Sequence, residues 1–323
     1  MLVLERMRLE EVDWPRLDSY PDRVVFQTRE WLEFVARTQQ AEPVIAKLVR
    51  DGTGVGFFTG LVIRRLGVRI LGSPFPGWTT SSMGFNLDEG VSRREAAEAL
   101  LRFAFGTLRC LHVELKDRRL GGDELAGLGF AQTATVTFEI DLAAEEDVIF
   151  GRMDSACRRC IRKAEKLGLV IEEASGESFA DEYYAQLVDV FAKQSLRPPY
   201  GADRVRELIR CLEPTEQLLL LRARSPEGKP IASALFPAMN GTAYFWGGAS
   251  FRAHQLLRPN EAIFWYAMRY WKERGMSVMD MGGGGDYKRK YGPVEFSVPF
   301  FRKARAPGLL RLRDAARFVL VRH

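Results

Sequence analysis

The chain has 323 residues, of which 46% are hydrophobic and 28% charged; this composition excludes a disordered chain and is sufficient for about two domains. Its formal charge of +5 favours anionic partners, and its four cysteines are too few for a disulfide framework in a chain of this length. The first residues are interrupted by charges, and nowhere do about 18 uninterrupted apolar residues occur, so a cytoplasmic protein without a transmembrane segment is expected.

The first half of the sequence predicts a helix, a run of strands, a second helix and a further strand. Apolar residues recur at helical spacing after Thr28, which is a suitable N-cap. Residues 43–72 form β-rich runs separated by glycine-containing turns at 51–54 and 66–67, which is typical of an antiparallel meander. Ser92, followed three residues later by Glu, is predicted to cap the second helix through a capping box, and "CLHVELK" is predicted to be a strand.

The second half repeats this order. Residues 218–248 are predicted as three strands joined by turns, and they are followed by a helix over 259–275 and a strand that ends at a run of glycines. Two copies of one α/β unit are therefore predicted, the first over residues 1–148 and the second over 149–323, where a C-terminal helix is expected. Between the meanders, "DSACRRCIRKAEKLGL" predicts a basic helix closed by Gly168, a candidate for the hinge between the domains.

No pattern in the sequence indicates a metal site or a pair of nucleophile and base. Cys157 and Cys160 form a CxxC motif, but without a second CxxC or a nearby histidine pair, helix packing is favoured over zinc or redox chemistry. His112 falls in a predicted strand, and the other two histidines lie in polar or terminal surroundings, so a histidine base is disfavoured. Neither a metal nor a resident cofactor is expected.

A meander followed by a helix and a strand is the order of elements in GNAT acyltransferases, and several motifs narrow the comparison. "FQTREW", "RRCIRKAEKLGL", "SLRPPY", "YFWGGAS", "RPNEAIFWYAM", "MDMGG" and "YKRKYG" follow one another over nearly the whole chain. In these motifs the sequence resembles the Fem-type aminoacyltransferases, which build peptidoglycan interpeptide bridges. The resemblance implies an α/β (α+β) fold of two tandem GNAT-like domains, each a mixed, largely antiparallel sheet flanked by helices. It places the acceptor side in the first domain and the donor and reacting cleft in the second.

The resemblance also implies the reaction, which is transfer of an aminoacyl group from the co-substrate aminoacyl-tRNA to an amine of a cell-envelope precursor or a peptide-like metabolite. Lys288 of "YKRKYG" falls on the family lysine at the reacting centre, where an ammonium stabilises a developing oxyanion or holds a tRNA phosphate. The glycines before it allow a sharp turn. Composition alone favours a solvated cationic turn, whereas the resemblance favours catalysis by Lys288.

Recognition of the acceptor is implied at "SLRPPY". Arg197 occupies the position of the family Arg-Pro that binds acceptor phosphates, and an arginine fork suits phosphate geometry. Tyr200 follows at a spacing that differs from that of the family tyrosine. The acceptor-binding lysine that the family carries after the tryptophan of the first-domain motif is absent, because Phe34 and Val35 occupy that region, and this argues against a muropeptide acceptor.

The donor is open to a second interpretation. Coenzyme A-dependent GNAT enzymes place glycines before the helix that binds the pyrophosphate, and the corresponding residues 258–260 lack them. This departure favours aminoacyl-tRNA, with Asn260 as a candidate substrate contact, and leaves an acyl-CoA-dependent N-acyltransferase as the alternative. A third alternative is a non-catalytic module that binds RNA or the cell envelope with the same fold.

Three further segments are candidates for binding. A helical cluster of cations that includes Arg162 and Lys163 is suited to RNA or a phosphorylated acceptor, or is the solvated face of an amphipathic helix. Trp246 and its aromatic neighbours are suited to a substrate channel or to the core. The basic amphipathic C-terminus, residues 309–323, is suited to docking on the protein or to peripheral membrane contact.

Overall fold

The structure is a computed structural model that describes residues 1–65, 67–193, 195–306 and 308. Its strands are β1 (Leu2–Met7), β2 (Glu42–Arg50), β3 (Thr53–Arg65), β4 (Val68–Ser73), β5 (Gly84–Leu87), β6 (His112–Leu115), β7 (Ala131–Asp141), β8 (Val170–Ala174), β9 (Leu218–Arg224), β10 (Pro230–Met239), β11 (Thr242–Tyr244), β12 (Gly247–Ser250), β13 (Val278–Asp280) and β14 (Val294–Ala304). Its helices are α1 (Trp14–Asp18), α2 (Arg29–Gln39), α3 (Arg93–Arg102), α4 (Glu146–Arg152), α5 (Ser155–Lys166), α6 (Phe179–Ala192), α7 (Ala202–Leu212) and α8 (Pro259–Glu273).

The chain divides into two compact units. Unit 1 holds Met1–Thr135 and the described residues from Ser297 onward, and unit 2 holds Val136–Phe296. This division differs from the predicted boundary at 148/149 because β7 pairs with β13 of unit 2, whereas β14 pairs with β6 of unit 1. The basic helix α5, predicted as a hinge, lies inside unit 2. The predicted C-terminal helix and the basic C-terminus fall outside the described residues.

Unit 1 contains the first predicted meander. Its strands follow the order β1-β2-β3-β4-β6-β14. Their pairing is antiparallel except between β4 and β6, which are parallel from Ile70↔His112 to Ser73↔Leu115. Where β4 ends, β5 continues the pairing along β3. The turn between β2 and β3 contains Asp51 at φ 51° and Gly52 at φ 83°, which confirms the predicted glycine turn.

The two N-caps predicted in unit 1 are confirmed. The Thr28 hydroxyl accepts from the N–H of Trp31 at 3.3 Å and begins α2. The Ser92 hydroxyl accepts from the N–H of Glu95 at 3.4 Å and begins α3. The reciprocal half of the predicted capping box is not formed, because the Glu95 carboxylate accepts from Arg50 at 2.6 Å instead. A side-chain acceptor at the N-cap satisfies one of the backbone donors that a helix leaves unpaired in its first turn.

Unit 2 repeats the pairing pattern of unit 1. Its strands follow the order β7-β13-β11-β10-β9-β8, with β12 beside β10. The pairs β8–β9, β9–β10 and β10–β11 are antiparallel, and β11 and β13 are parallel. The order and the directions of pairing in unit 2, β8-β9-β10-β11-β13, are therefore the same as in unit 1, β1-β2-β3-β4-β6. Helix α8 corresponds to α3. The predicted internal repeat is confirmed.

Helices cover both faces of the sheet of unit 2. On β10, Phe236 lies in one apolar core with Phe264 of α8. The neighbouring Leu235 pairs with Gly247 of β12, and a Cβ placed on Gly247 would lie 2.6 Å from the hydroxyl oxygen of Tyr183 in α6. Because successive residues of a strand face opposite sides, α8 and α6 cover opposite faces of this sheet.

The CxxC segment belongs to α5. Cys157 is buried in the core that α8 covers, and Cys160 is half-buried. Burial raises the pKa of the Cys157 thiol to about 12, which is the opposite of what a reactive thiolate needs. Gly168, at φ 74°, closes the helix as predicted. None of the helices in the described part of the chain has the length and apolar character needed to cross a bilayer.

Candidate active site

Two parallel strands of unit 2 part at one point. β11 and β13 are neighbours until Tyr244 lies opposite Asp280, and the N–H of Phe245 still donates to the carbonyl oxygen of Asp280 at 2.8 Å. Beyond this point β12 continues along β10, whereas the chain after β13 enters the glycine-rich loop 282–285. Strands that part leave backbone N–H and C=O groups without ladder partners. We call this opening, between the chain from Phe245 onward and the chain after Asp280, the fork. It is therefore suited to a ligand.

A β-bulge marks the beginning of the fork. The pairs Ala238↔Ala243 and Leu235↔Gly247 are separated by three residues on β10 and by four on the opposite strand. The extra residue falls at 245–246, and such a bulge bends the strand and redirects its side chains. The bulge thus turns β12 away from β13 at the point where their parallel pairing stops.

The two residues of the bulge face different sides of the sheet. Phe245 is half-buried, and its ring lies 4.6 Å from that of Phe264 on the α8 side. Trp246 is buried, and its ring lies 5.6 Å from that of Tyr200, which precedes α7. Trp246 is therefore a packed residue, as the core interpretation predicts, and it also borders the fork on the α6 side. Its contact with substrate stays a prediction.

Lys288 lies beneath the glycine-rich loop. It belongs to the 3₁₀ turn Asp286–Tyr291, and its Nζ donates to the carbonyl oxygens of Gly282 at 3.2 Å and Gly283 at 2.9 Å. The carboxylate of Asp280, at the end of β13, accepts from the N–H of Gly282 at 2.7 Å. These contacts fold the loop around the ammonium, which is 5% exposed. The interpretation of this lysine as part of a solvated turn was wrong.

The Lys288 ammonium has an unusual electrostatic environment. Burial lowers its pKa to about 8, and the negative charge of Asp280 acts in the opposite direction. An ammonium carries three N–H groups, and two of them reach loop carbonyls. The third has no acceptor among the described residues, and Nζ lies 5.9 Å from the ring centre of Phe245 beside the fork.

The remaining residues of "YKRKYG" hold this turn in place. Tyr291 is buried with its ring 4.7 Å from that of Phe264. The Lys290 ammonium forms an ion pair of 2.7 Å with the buried carboxylate of Glu261 in the first turn of α8. Tyr287 is about half exposed, at 52%. The two anchoring residues, Lys290 and Tyr291, therefore both follow Lys288 in the motif, whereas its direct neighbours Tyr287 and Arg289 are exposed.

A group of phenols lies on the α6 side of the fork. The hydroxyls of Tyr183 and Tyr200 are 3.0 Å apart, and the Tyr183 hydroxyl abuts Gly247, where there is no side chain to block it. Burial raises the pKa of both phenols, that of Tyr183 to well above its ordinary value. The guanidinium of Arg204 stacks 5.1 Å from the Tyr200 ring centre and 5.8 Å from that of Trp246. These contacts fix Tyr200 beside the fork.

The other predicted contacts lie at separate places in unit 2. Arg197 is exposed in the connection between α6 and α7 and forms no ion pair with a described residue. Asn260, in the first turn of α8, donates to the hydroxyl of Ser250 at 3.2 Å. Arg162 stacks 5.2 Å from the ring centre of Phe150, and Lys163 is exposed. Their roles in binding stay predictions.

One side of α5 is exposed and cationic. We call its residues the basic face of α5: Arg159, Arg162, Lys163 and Lys166. Their spacing of three, four and seven residues places them on one side of the helix, and none forms an ion pair with a described residue. The N-cap of this helix is Asp154, whose N–H donates to the carbonyl oxygen of Lys290 at 2.9 Å. The basic face therefore begins beside the Lys288 motif.

The start of α8 is poorly suited to a pyrophosphate. Arg258 takes the left-handed conformation at φ 60°, and Pro259 follows as the first helical residue, where it has no N–H to offer. The third residue of the helix is Glu261, whose carboxylate lies in the positive end of the helix dipole. An anion bound there would be repelled by the Glu261 carboxylate and would find fewer backbone N–H donors.

Sequence reasoning missed three contributors to the site. Tyr183 lies in an ordinary amphipathic helix, and Arg204 belongs to another, so nothing in their local sequence distinguished them. Asp280 could have been noticed, because it is the last strand residue before the glycines. A polar residue at the end of a buried strand is a usual position for a functional group.

Comparison with known proteins agrees with this geometry. Residues 151–291 match the family model of the acetyltransferase (GNAT) domain. This range contains the fork, Lys288, the phenols and α5. None of the curated proteins matches the sequence.

Solved structures share the fold over nearly the whole chain. FemX has a TM-score of 0.78 and 14% identity, with 95% of this chain and 99% of the FemX chain covered. The C-terminal domain of a putative lysylphosphatidylglycerol synthetase from Agrobacterium fabrum has a TM-score of 0.58 and 13% identity, covering 88% and 90%. A tandem GNAT protein from the clavulanic acid biosynthesis pathway has a TM-score of 0.56 and 13% identity, covering 95% and 99%. Residues 151–291 therefore match the acetyltransferase (GNAT) domain, and the chain as a whole shares its fold with FemX and with a tandem GNAT protein.

Proposed function

We propose that the protein is an N-acyltransferase that forms an amide bond by transferring an aminoacyl group from aminoacyl-tRNA to an amine. The observation that carries this proposal is the hydrogen bond that joins the start of α5 to the carbonyl of Lys290. It connects an unpaired basic face to the turn that holds Lys288. A polyanion bound along α5 through its phosphates would have its end next to the fork.

The fork and Lys288 suit acyl transfer. The amine attacks the ester carbonyl of the donor, a C–N bond forms, and negative charge develops on the carbonyl oxygen. The free N–H of Lys288 stabilises this oxyanion, because a fixed donor in a site shielded from water acts strongly where charge develops. When the intermediate collapses, the C–O bond to the tRNA breaks, the amine has lost a proton, and the tRNA hydroxyl has gained one.

The acceptor is an amine that carries phosphate, such as a cell-envelope precursor, or a peptide-like metabolite. Arg197 supports a phosphate contact, since its exposed guanidinium is not used by another described side chain. Its fork of N–H donors can bind two phosphate oxygens at once. The aromatic wall formed by Trp246 and Tyr200 is suited to the apolar part of an acceptor.

Acyl-CoA is the second candidate donor, and the match to the acetyltransferase domain favours it. The beginning of α8 argues against it. GNAT-type pyrophosphate binding requires converging backbone N–H groups at a helix N-terminus, whereas here Pro259 offers none and Glu261 adds a carboxylate.

Incubation of the protein with charged tRNA or acyl-CoA, each with pooled amines, tests the donor. We expect discharge of aminoacyl-tRNA that ribonuclease abolishes. Replacement of Arg159, Lys163 and Lys166 by Gln should weaken tRNA binding and reduce its salt dependence, whereas the same change at the exposed cations Lys193, Lys229 and Arg252 should leave both near wild type. Ribonuclease-resistant turnover of acyl-CoA alone would replace the proposal with the second candidate.

A further inference from the structure

A line of polar side chains runs along α6 on its side of the sheet of unit 2, from the buried Tyr183 to the half-buried Asp189. Tyr183, Gln186 and Asp189 follow one another at intervals of three residues along α6, so they lie on one side of the helix. At one end, the Tyr183 hydroxyl contacts that of Tyr200 beside the fork. At the other end, the Asp189 carboxylate accepts from the N–H of Arg252 at 2.8 Å.

The middle of this line contains an unusual amide. Gln186 is fully buried, and neither its Nε2 nor its Oε1 has a hydrogen-bond partner among the described residues. The hydroxyl of Ser233 on β10 is also buried without a partner there. Each buried polar group left unpaired costs about 1–3 kcal/mol, and the large majority of buried side-chain polar atoms in folded proteins bond to protein or to ordered water. These two side chains therefore call for a partner that is not a protein atom.

The position of Gln186 follows from the contacts at both ends of α6. Tyr183 lies against Gly247, and Asp189 bonds to the backbone of Arg252, so α6 runs alongside β12 in the same direction. Gln186 is halfway between these two contacts, and it rises about 4.5 Å from Tyr183. It therefore lies beside the middle of β12.

Ser233 on β10 lies opposite the middle of β12. Ala249 is the β12 residue at this level, and its register partner on β10 is Ser233. Residues paired in antiparallel strands share one face of the sheet, which here is the face that α6 covers. Gln186 and Ser233 therefore lie on the same face at the level of Ala249, and they do not bond to each other. A space lined by an amide and a hydroxyl offers the two or more polar partners that a buried water needs.

We infer that ordered water fills the space between Gln186 and Ser233 and completes a proton path from the fork, through Tyr200 and Tyr183, to Asp189. The path rests on the proposed function, which supplies the proton. The attacking amine gives its proton to the Tyr200 oxygen while Tyr200 passes its own to Tyr183. Tyr183 passes its own to the water, which delivers one to the Asp189 carboxylate. An N–H bond breaks, an O–H bond forms at Asp189, and both phenols end unchanged. The half-buried Asp189 then releases this proton to solvent, and the leaving tRNA oxygen takes its proton from solvent. Their raised pKa values keep them in the neutral form.

A pair of tyrosine variants tests the path. Tyr183→Phe keeps the ring and removes the relay oxygen, and we expect kcat to fall roughly 10²-fold, the lower end of the contribution of positioned proton transfer. The KM of the donor should not change, and the deficit in kcat relative to wild type should narrow at higher pH, where the acceptor amine is already deprotonated, while the alkaline limb set by Lys288 is common to both enzymes. Tyr184→Phe, the adjacent residue of α6, should match wild type. A Tyr183→Phe enzyme with the kcat and pH profile of Tyr184→Phe overturns the path.

A crystal structure of the whole chain at high resolution tests the water without reference to activity. Ordered waters bonded to Gln186 and Ser233 support the inference, and a dry contact or a direct bond between the two overturns it. Gln186→Leu removes the reason for the water, so it should leave stability equal or higher while lowering kcat as Tyr183→Phe does. If the waters are present but the wild-type protein transfers no acyl group from any donor, the hydrated site stands while the proposed function and the proton path fall.

Discussion

The buried ammonium of Lys288 is the side chain on which the proposed reaction most depends, and Lys288→Met tests it with an unbranched side chain. The variant loses a donor that acts where charge develops, and loss of one such donor lowers kcat about 10²–10³-fold, equivalent to about 2.7–4 kcal/mol. It also loses two bonds to loop carbonyls, but it no longer buries a charge. These effects on stability oppose each other, so the variant should stay folded.

The assay is steady-state turnover across pH, with circular dichroism to verify folding. Because the pKa of Lys288 is lowered to about 8 by burial, activity that needs the ammonium should fall as pH rises through about 8, and the Met variant should lack this limb. The unfolded chain, with a lysine pKa near 10.4, binds more protons between these values. Wild-type stability should therefore rise with pH over this window relative to the variant. A Met variant with wild-type kcat, or with the same alkaline limb, would refute the role of Lys288.

Other substitutions separate binding from folding. Arg197→Ala should raise the acceptor KM roughly 10- to 150-fold, as expected for a charge-assisted bond of about 1.5–3 kcal/mol, with little recovery in Arg197→Lys; a lower kcat at unchanged KM would contradict a phosphate contact. In Gly292→Ala the new methyl group would press on the carbonyl oxygen of Arg152, the last residue of α4. At Gly275 φ is also positive but the space is open, so Gly275→Ala should cost only about 1–2 kcal/mol. The first variant should therefore lower the denaturant midpoint more than the second. Lys290→Met leaves the Glu261 carboxylate without its ion pair and should cost about 3 kcal/mol, the low end for a buried pair, because both side chains keep some exposure. The double variant with Glu261→Gln should recover most of it, and no recovery would exclude this coupling.

Local signals were sufficient for the elements but not for their assembly. The hydroxyls of Thr28 and Ser92 act within three residues along the chain, so the helix starts could be predicted. The pairing of β14 with β6 joins residues as far apart as Leu115 and Phe301. No local pattern specifies such a partner, which is why the predicted second domain included a strand that belongs to unit 1.

The candidate site shows the same limit. Lys288 could be identified from its motif, yet its burial could not, because a run of three cations ordinarily faces solvent. The burial depends on the glycine carbonyls that accept from its Nζ and on Tyr291, which anchors the turn against α8. The water site around Gln186 depends on the alignment of α6 with β12, which has no sequence signature.

The duplication raises the question of why the reaction should occur in unit 2 and not in unit 1. The parallel pairing of β4 and β6 ends at Leu115, as that of β11 and β13 ends at Asp280. Two residues further, unit 1 has Asp117 where unit 2 has Gly282. The Asp117 carboxylate accepts from the N–H of Phe85 on β5 at 3.1 Å and from Arg93 at 2.9 Å.

These contacts close the equivalent opening in unit 1. The Asp117 side chain thereby joins the chain after β6 to β5, at the place where these two segments would otherwise separate. The carboxyl group is buried, and burial raises its pKa against the opposing effect of Arg93. In unit 2 the glycine leaves the same place free of a side chain. The Asp280 carboxylate accepts from the N–H of this glycine, and the Lys288 ammonium donates to its carbonyl oxygen. One repeat thus keeps an open fork with a cation suited to acyl transfer, while the other uses the same position to join its strands.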